Sequence, residues 1–188
     1  MENKKKNRLS YLDSYEPDGN GGYRFRGNYY RFSGDAHGRK TLFFRLFLLL
    51  TAGAVLSVGS GCLDGAGSTD CIYVVLPLVA EIITVFYTLW KTVVLYRAGE
   101  TVKEHVLSSA QKQISAGSFL FPVFSGIGFV SDFIYVLLSG TQGKTVSTTL
   151  YLCGKVLGLA VGILLFRTAK KLRYEVVPEE ILPDEVSD

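Results

Sequence analysis

VSTTLYLCGKVLGLAVGILLF, residues Val146 to Phe166, decides how the rest of the chain is read. It has the length of about 20 residues that crosses a hydrocarbon core. It also carries glycines at 154, 158 and 162 and one charge near its middle, Lys155. Small residues four apart share one stripe of a helix and let a second backbone come close. At about 100° per residue, Lys155 lies within about 60° of Gly158 and about 20° of Gly162, so it looks into that stripe rather than toward lipid. The segment predicts a membrane helix packed against others, with a buried lysine in need of a counter-charge.

Three further apolar spans precede it, at about 42–61, 72–95 and 116–139, so the fold expected is an all-α bundle of four transmembrane helices filling residues 42–166. Core helices of a soluble bundle would show polar faces of charged residues, which these spans lack. The whole chain agrees: 48% of its residues are hydrophobic, and they are gathered into blocks. No cleavable signal peptide is expected, since some forty mostly polar residues come before the first block.

The basic residues supply orientation. Nine Lys and Arg fall in residues 1–41, four between Lys91 and Ser115 and four more at Arg167, Lys170, Lys171 and Arg173, whereas the two remaining loops hold Lys144 alone. Such a bias places both termini in the cytoplasm of a multi-pass protein of the plasma membrane or an equivalent membrane. Arg45, near the start of the first span, can snorkel to the headgroups. Tyr73, Tyr135 and Tyr151 are then expected at the outer interface, with Trp90, Tyr96 and Tyr174 at the inner one. Residues 97–115 are expected to prolong the second helix and then turn, with Gly99 as a break.

Within the basic and aromatic segment 1–41, Tyr23 to Phe32 reads YRFRGNYYRF. Gly27-Asn28 is a two-residue turn candidate, predicting a β-hairpin in which Phe25 faces Tyr30 and Tyr23 faces Phe32. Four aromatics would lie on one side and Arg24, Arg26 and Arg31 on the other. An isolated hairpin is marginal in water, so the aromatic face needs the bundle end or the bilayer interface to lie on. In the tail 167–188, basic then acidic, six of the last fourteen residues are acidic, and loose order is expected from Glu175 on. Cys62 and Cys71 flank the outer loop CLDGAGSTDC and are candidates for a disulfide on an oxidising side. Cys153 reads as a small packing residue.

The remaining charges inside spans are Glu81 and Asp132. Counted at 1.5 Å per residue from the outer helix ends, Lys155 and Glu81 lie roughly 14 Å deep and Asp132 roughly 10 Å. Each carboxylate also sits on the polar or small stripe of its helix: Pro77, Glu81, Thr84, Thr88 and Thr92 on the second, and Ser118, Ser125, Gly128, Asp132 and Ser139 on the third. The three groups are therefore expected to form one buried cluster, either as a structural ion pair or triad, or as a proton- or ion-linked site. The seam Gly154, Gly158, Gly162 is expected to serve helix packing within the chain, and a weaker version occurs at Gly53, Ser57 and Gly61.

No catalytic, cofactor or metal site is expected. The two histidines, His37 and His105, are far apart, no Cys-x-x-Cys occurs, and GTQGKT at 140–145 lacks the first glycine of a phosphate-binding loop. The functional expectation is a non-catalytic scaffold or regulatory subunit of a membrane complex. A small transporter or channel subunit using Glu81, Asp132 and Lys155 is the alternative. Expected partners are membrane lipid and either another membrane protein or further copies in a homo-oligomer, not nucleic acid, because the basic stripe is short and sits beside a span.

Overall fold

In the computed structural model, residues 28–63 and 71–177 are described in full, together with the backbone of strands 15–17 and 23–25. Four helices, α1 (Ala36–Gly61), α2 (Ile72–Arg97), α3 (Glu104–Ser139) and α4 (Thr145–Ala169), are each long and apolar enough to cross a membrane. Each packs on the next and α1 closes the ring against α4, giving an up-and-down four-helix bundle. Its pattern is inverted relative to a water-soluble protein. Phe44, Leu48, Val55, Phe86, Trp90 and Leu138 are exposed, while Glu81, Asp132 and Lys155 are inside.

Local chemistry sets the helix ends. Asp35 caps α1 by accepting a hydrogen bond from the Gly38 N–H at 3.1 Å. Beyond the end of α2, Gly99 takes φ +87°, a conformation that suits a residue without Cβ. The second helix therefore does not continue as expected; α3 instead starts at Glu104 rather than at about residue 116. The cause is a core stripe that runs on through Leu107, Ala110 and Ile114, all buried. Gly140 and Gly143, at φ +70° and +79°, form the tight turn into α4.

Strands cap one end. β3 (Tyr29–Phe32) lies between β4 (Thr101–Lys103) and β5 (Tyr174–Val177), antiparallel to both, with Tyr30 opposite Val102 and Val176. Residues just before α1, between α2 and α3, and just after α4 thus meet at one end of the bundle. The expected Tyr23–Phe32 hairpin is corrected here. β2 (Tyr23–Phe25) pairs with β1 (Tyr15–Pro17), placing Phe25 opposite Tyr15, while β3 joins the three-stranded sheet. Two neighbours bury more of β3 than one could. Tyr30, Phe32 and Tyr174 pack on the bundle core beside the fully buried Val102, and a third strand supplies the stability a lone hairpin lacks. Glu175 to Val177, expected to be loose, belong to β5 for the same reason. Residues 178–188 of the acidic tail lie outside the described residues.

Candidate functional site

The stripe of α4 that faces inward runs Thr148, Tyr151, Lys155, Gly158, Gly162, Leu165 and Ala169, all buried. Its glycines admit rigid neighbours. A Cβ at Gly162 would stand 2.8 Å from Pro122 Cβ, and one at Gly158 would stand 2.7 Å from Ser125 Oγ and 3.5 Å from Glu81 Oε1. At the half-buried Gly154 a Cβ would stand 3.8 Å from Ser60 Cβ of α1, ordinary contact distance. Close approach of α3 to α4 lets Ser125 Oγ donate to the Lys155 carbonyl at 3.0 Å. The same device holds α2 to α3, where a Cβ at Gly117 would fall 1.9 Å from Thr88 Oγ1.

Across this close-packed centre the Lys155 ammonium donates to Glu81 Oε2, with both side chains almost fully removed from solvent. The Ser57 hydroxyl lies 2.9 Å from Glu81 Oε1 and 2.9 Å from the Gly53 carbonyl, shared between the two acceptors. Lys155 Nζ also sits 5.4 Å from the centre of the Tyr151 ring, a distance at which a cation and an aromatic face attract. The lysine stem passes Gly128 of α3, where a Cβ would be 3.4 Å from Lys155 Cε. Thr84, Thr88 and Thr92 spend their hydroxyls on carbonyls of their own helix.

Asp132 stands apart. It is about 1% exposed, like Glu81 and Lys155, and lies one turn beyond Gly128 within electrostatic reach of Lys155. Neither of its oxygens has a hydrogen-bond partner, and the same holds for the Tyr151 hydroxyl. Of the three charges read together in the sequence, two are joined and the third is adjacent but unbonded.

Other sequence expectations change. Tyr151 and Tyr135, expected at an interface, are buried with Val74 in a small cluster above the charges, whereas Tyr73 remains exposed. Tyr151 is four residues before Lys155, and that helical spacing was the available signal for an inward ring. Ser57, read as a packing residue, is a ligand of the Glu81 carboxylate. Cys62 and Cys71 are free thiols, and residues 64–70 between them lie outside the described residues. Cys153 is exposed rather than packed, since two residues from Lys155 is about 200° around the helix.

At the sheet end, Arg39 is nearly buried. Its Nη2 donates to the Tyr96 carbonyl at 2.9 Å and its guanidinium lies over the Phe43 and Tyr96 rings at 5.5 and 5.6 Å. Burial pushes the Tyr174 phenol above its ordinary value, against an opposing pull from Arg39. Of the proposed interfacial residues, Arg31 pairs with Glu100 and Phe32 meets Tyr174 edge-on at 5.7 Å. The side chains of Tyr23, Arg24, Phe25 and Arg26 lie outside the described residues. An open apolar groove of about 540 Å³, lined by Pro122, Val123, Ile127, Val130 and Leu159, runs along the outside of α3 and α4.

Compared with known protein families, curated proteins and solved structures, the chain matches none of them. Its function must therefore be argued from the site.

Proposed function

We propose that this chain is a multi-pass membrane protein with both termini in the cytoplasm, acting without catalysis as a scaffold or regulatory subunit of a membrane complex. One observation carries the reading: the centre of the bundle is closed, with Lys155 held on Glu81 and all three ionisable groups about 1% exposed. A transporter needs a route for water or substrate to its midplane site, whereas a sealed bundle leaves its ends and its lipid-facing surface to do the work. The sheet β4-β3-β5 supports the same reading, because it ties three distant segments into one platform at the end richest in Lys and Arg. That charge bias favours the cytoplasmic side for the platform.

The test has two arms. In sealed vesicles the purified protein is expected to give no proton, sodium or potassium flux above protein-free vesicles; flux abolished by Glu81→Gln would overturn the scaffold in favour of a transporter. In native membranes, a photo-crosslinker at the exposed Val176 is expected to yield one discrete protein adduct. Lipid adducts alone would remove the partner from the proposal.

A further inference from the structure

The bundle centre holds one charge too many. Lys155 and Glu81 neutralise each other, which leaves Asp132 as a buried carboxyl with no hydrogen bond. The groups around it can be named element by element. From α2 come Glu81 and Tyr73, from α3 itself Tyr135, and from α4 Lys155 and Tyr151. From α1, Ser57 joins the cluster through its hydrogen bond to the Glu81 carboxylate. Lys155 is the one cation in this set, and it is held by Glu81. A carboxylate ion left bare in such surroundings is strongly disfavoured, whereas a neutral acid is tolerated. The Tyr151 hydroxyl is an independent sign of the same gap, being fully buried, unpartnered and within electrostatic reach of Asp132.

We propose that Asp132 is a proton-binding site of the bundle, occupied while Lys155 pairs with Glu81 and emptied when Lys155 turns from Glu81 toward Asp132. A proton fits better than a metal ion because hard cations need several oxygen ligands. Ser125 is engaged with the Lys155 carbonyl, the Glu81 carboxylate with Lys155 and Ser57, and the Tyr135 oxygen accepts from Gln142 at 3.0 Å, which leaves the Tyr151 hydroxyl beside the two Asp132 oxygens, too few for a hard cation. Among the described residues no group of three or more His, Cys, Asp or Glu is placed to hold a metal.

The exchange balances. The Asp132 O–H bond breaks, the electron pair stays on that carboxylate, and the proton passes to the Glu81 carboxylate that Lys155 leaves, so neither carboxylate stands bare and the net charge of the centre stays zero. Lys155 stays an ammonium throughout and changes only its partner. Gly128 makes the move feasible, since no side chain there separates the lysine stem from α3. Proton transfer therefore exchanges an α2–α4 link for an α3–α4 link, a two-state change in which helices are tied. This assignment concerns occupancy and is independent of whether the protein scaffolds or transports.

Infrared spectroscopy of the full-length protein in lipid nanodiscs at pH 7 tests it through the C=O stretch of a protonated carboxyl. The wild type is expected to show that band, and Asp132→Asn to lack it. Glu81→Gln is also expected to lack it, because the freed lysine then pairs with Asp132. A wild type without the band overturns the proposal whether or not the variants fold, as does a band that survives Asp132→Asn. A band that disappears at constant pH when choline chloride is replaced by sodium or potassium chloride would assign the site to a metal ion and equally overturn it.

Discussion

Two ion pairs of similar chemistry occupy opposite environments in this molecule. Lys155 and Glu81 meet with 1% and 2% of their side chains exposed, whereas Arg31 and Glu100 meet at 3.4 Å with 62% and 49% exposed. The contrast teaches that pairing has no fixed worth. Inside, each ion has lost its water and depends on the partner, so removing one leaves an uncompensated charge. At the sheet, water replaces whatever is lost.

The comparison breaks first at Lys155. Lys155→Met is expected to cost about 3–5 kcal/mol in detergent, read as a lower unfolding temperature, and adding Glu81→Gln is expected to restore most of it. A single variant as stable as the parent would mean that the inner pair behaves like the outer one. Gly162→Leu probes the packing that excludes water from that pair. With Pro122 Cβ only 2.8 Å from the position of a new Cβ, it is expected to cost about 3 kcal/mol in the same assay.

Arg39→Leu sharpens the comparison at an intermediate environment. It strands the Tyr96 carbonyl and removes a guanidinium from two rings, at a cost of about 1–3 kcal/mol, while hydrogen exchange should rise in α2 near Arg97 and not around Glu81. Arg31→Ala, the exposed counterpart of Lys155→Met, is expected to change stability by less than about 1 kcal/mol, and by less still in high salt.

The last effect is absent at neutral pH. Burial raises the Tyr174 phenol above its ordinary value of 10.0, so between that value and the folded one the unfolded state has lost a proton that the folded state keeps. Docking of the sheet should therefore weaken as pH rises past about 10. Tyr174→Phe should remove this alkaline dependence in circular dichroism of the strand signal.

Much of the architecture is legible in the sequence because it is local. Spans of apolar residues read out the four helices, and helical spacing puts Glu81, Asp132 and Lys155 on inward stripes. The aromatic side of Tyr30 and Phe32 is likewise legible from alternation. What escaped reading depends on distant segments. Tyr23–Phe25 and Tyr29–Phe32 look like two arms of one hairpin until Val102 and Tyr174 are brought beside Tyr30 and Phe32, and no local pattern announces that. α3 starts well before its apolar span because Leu107, Ala110 and Ile114 continue its buried stripe through Glu104 to Ser115, a stretch too polar to read as a span.

By itself, then, the sequence determined that four helices form and which way each one faces, since periodicity is a property of a single segment. Tertiary structure alone decided which carboxylate takes the lysine. Glu81, Asp132 and Lys155 were indistinguishable by depth to within a turn or two. The choice depends on axial offset and rotation between helices, which are set by close approach at Gly117, Gly128, Gly158 and Gly162. Hydrogen-bond partners must meet within a few tenths of an ångström, a tolerance finer than helical periodicity specifies. At that resolution Glu81 holds Lys155 and Asp132 is left over.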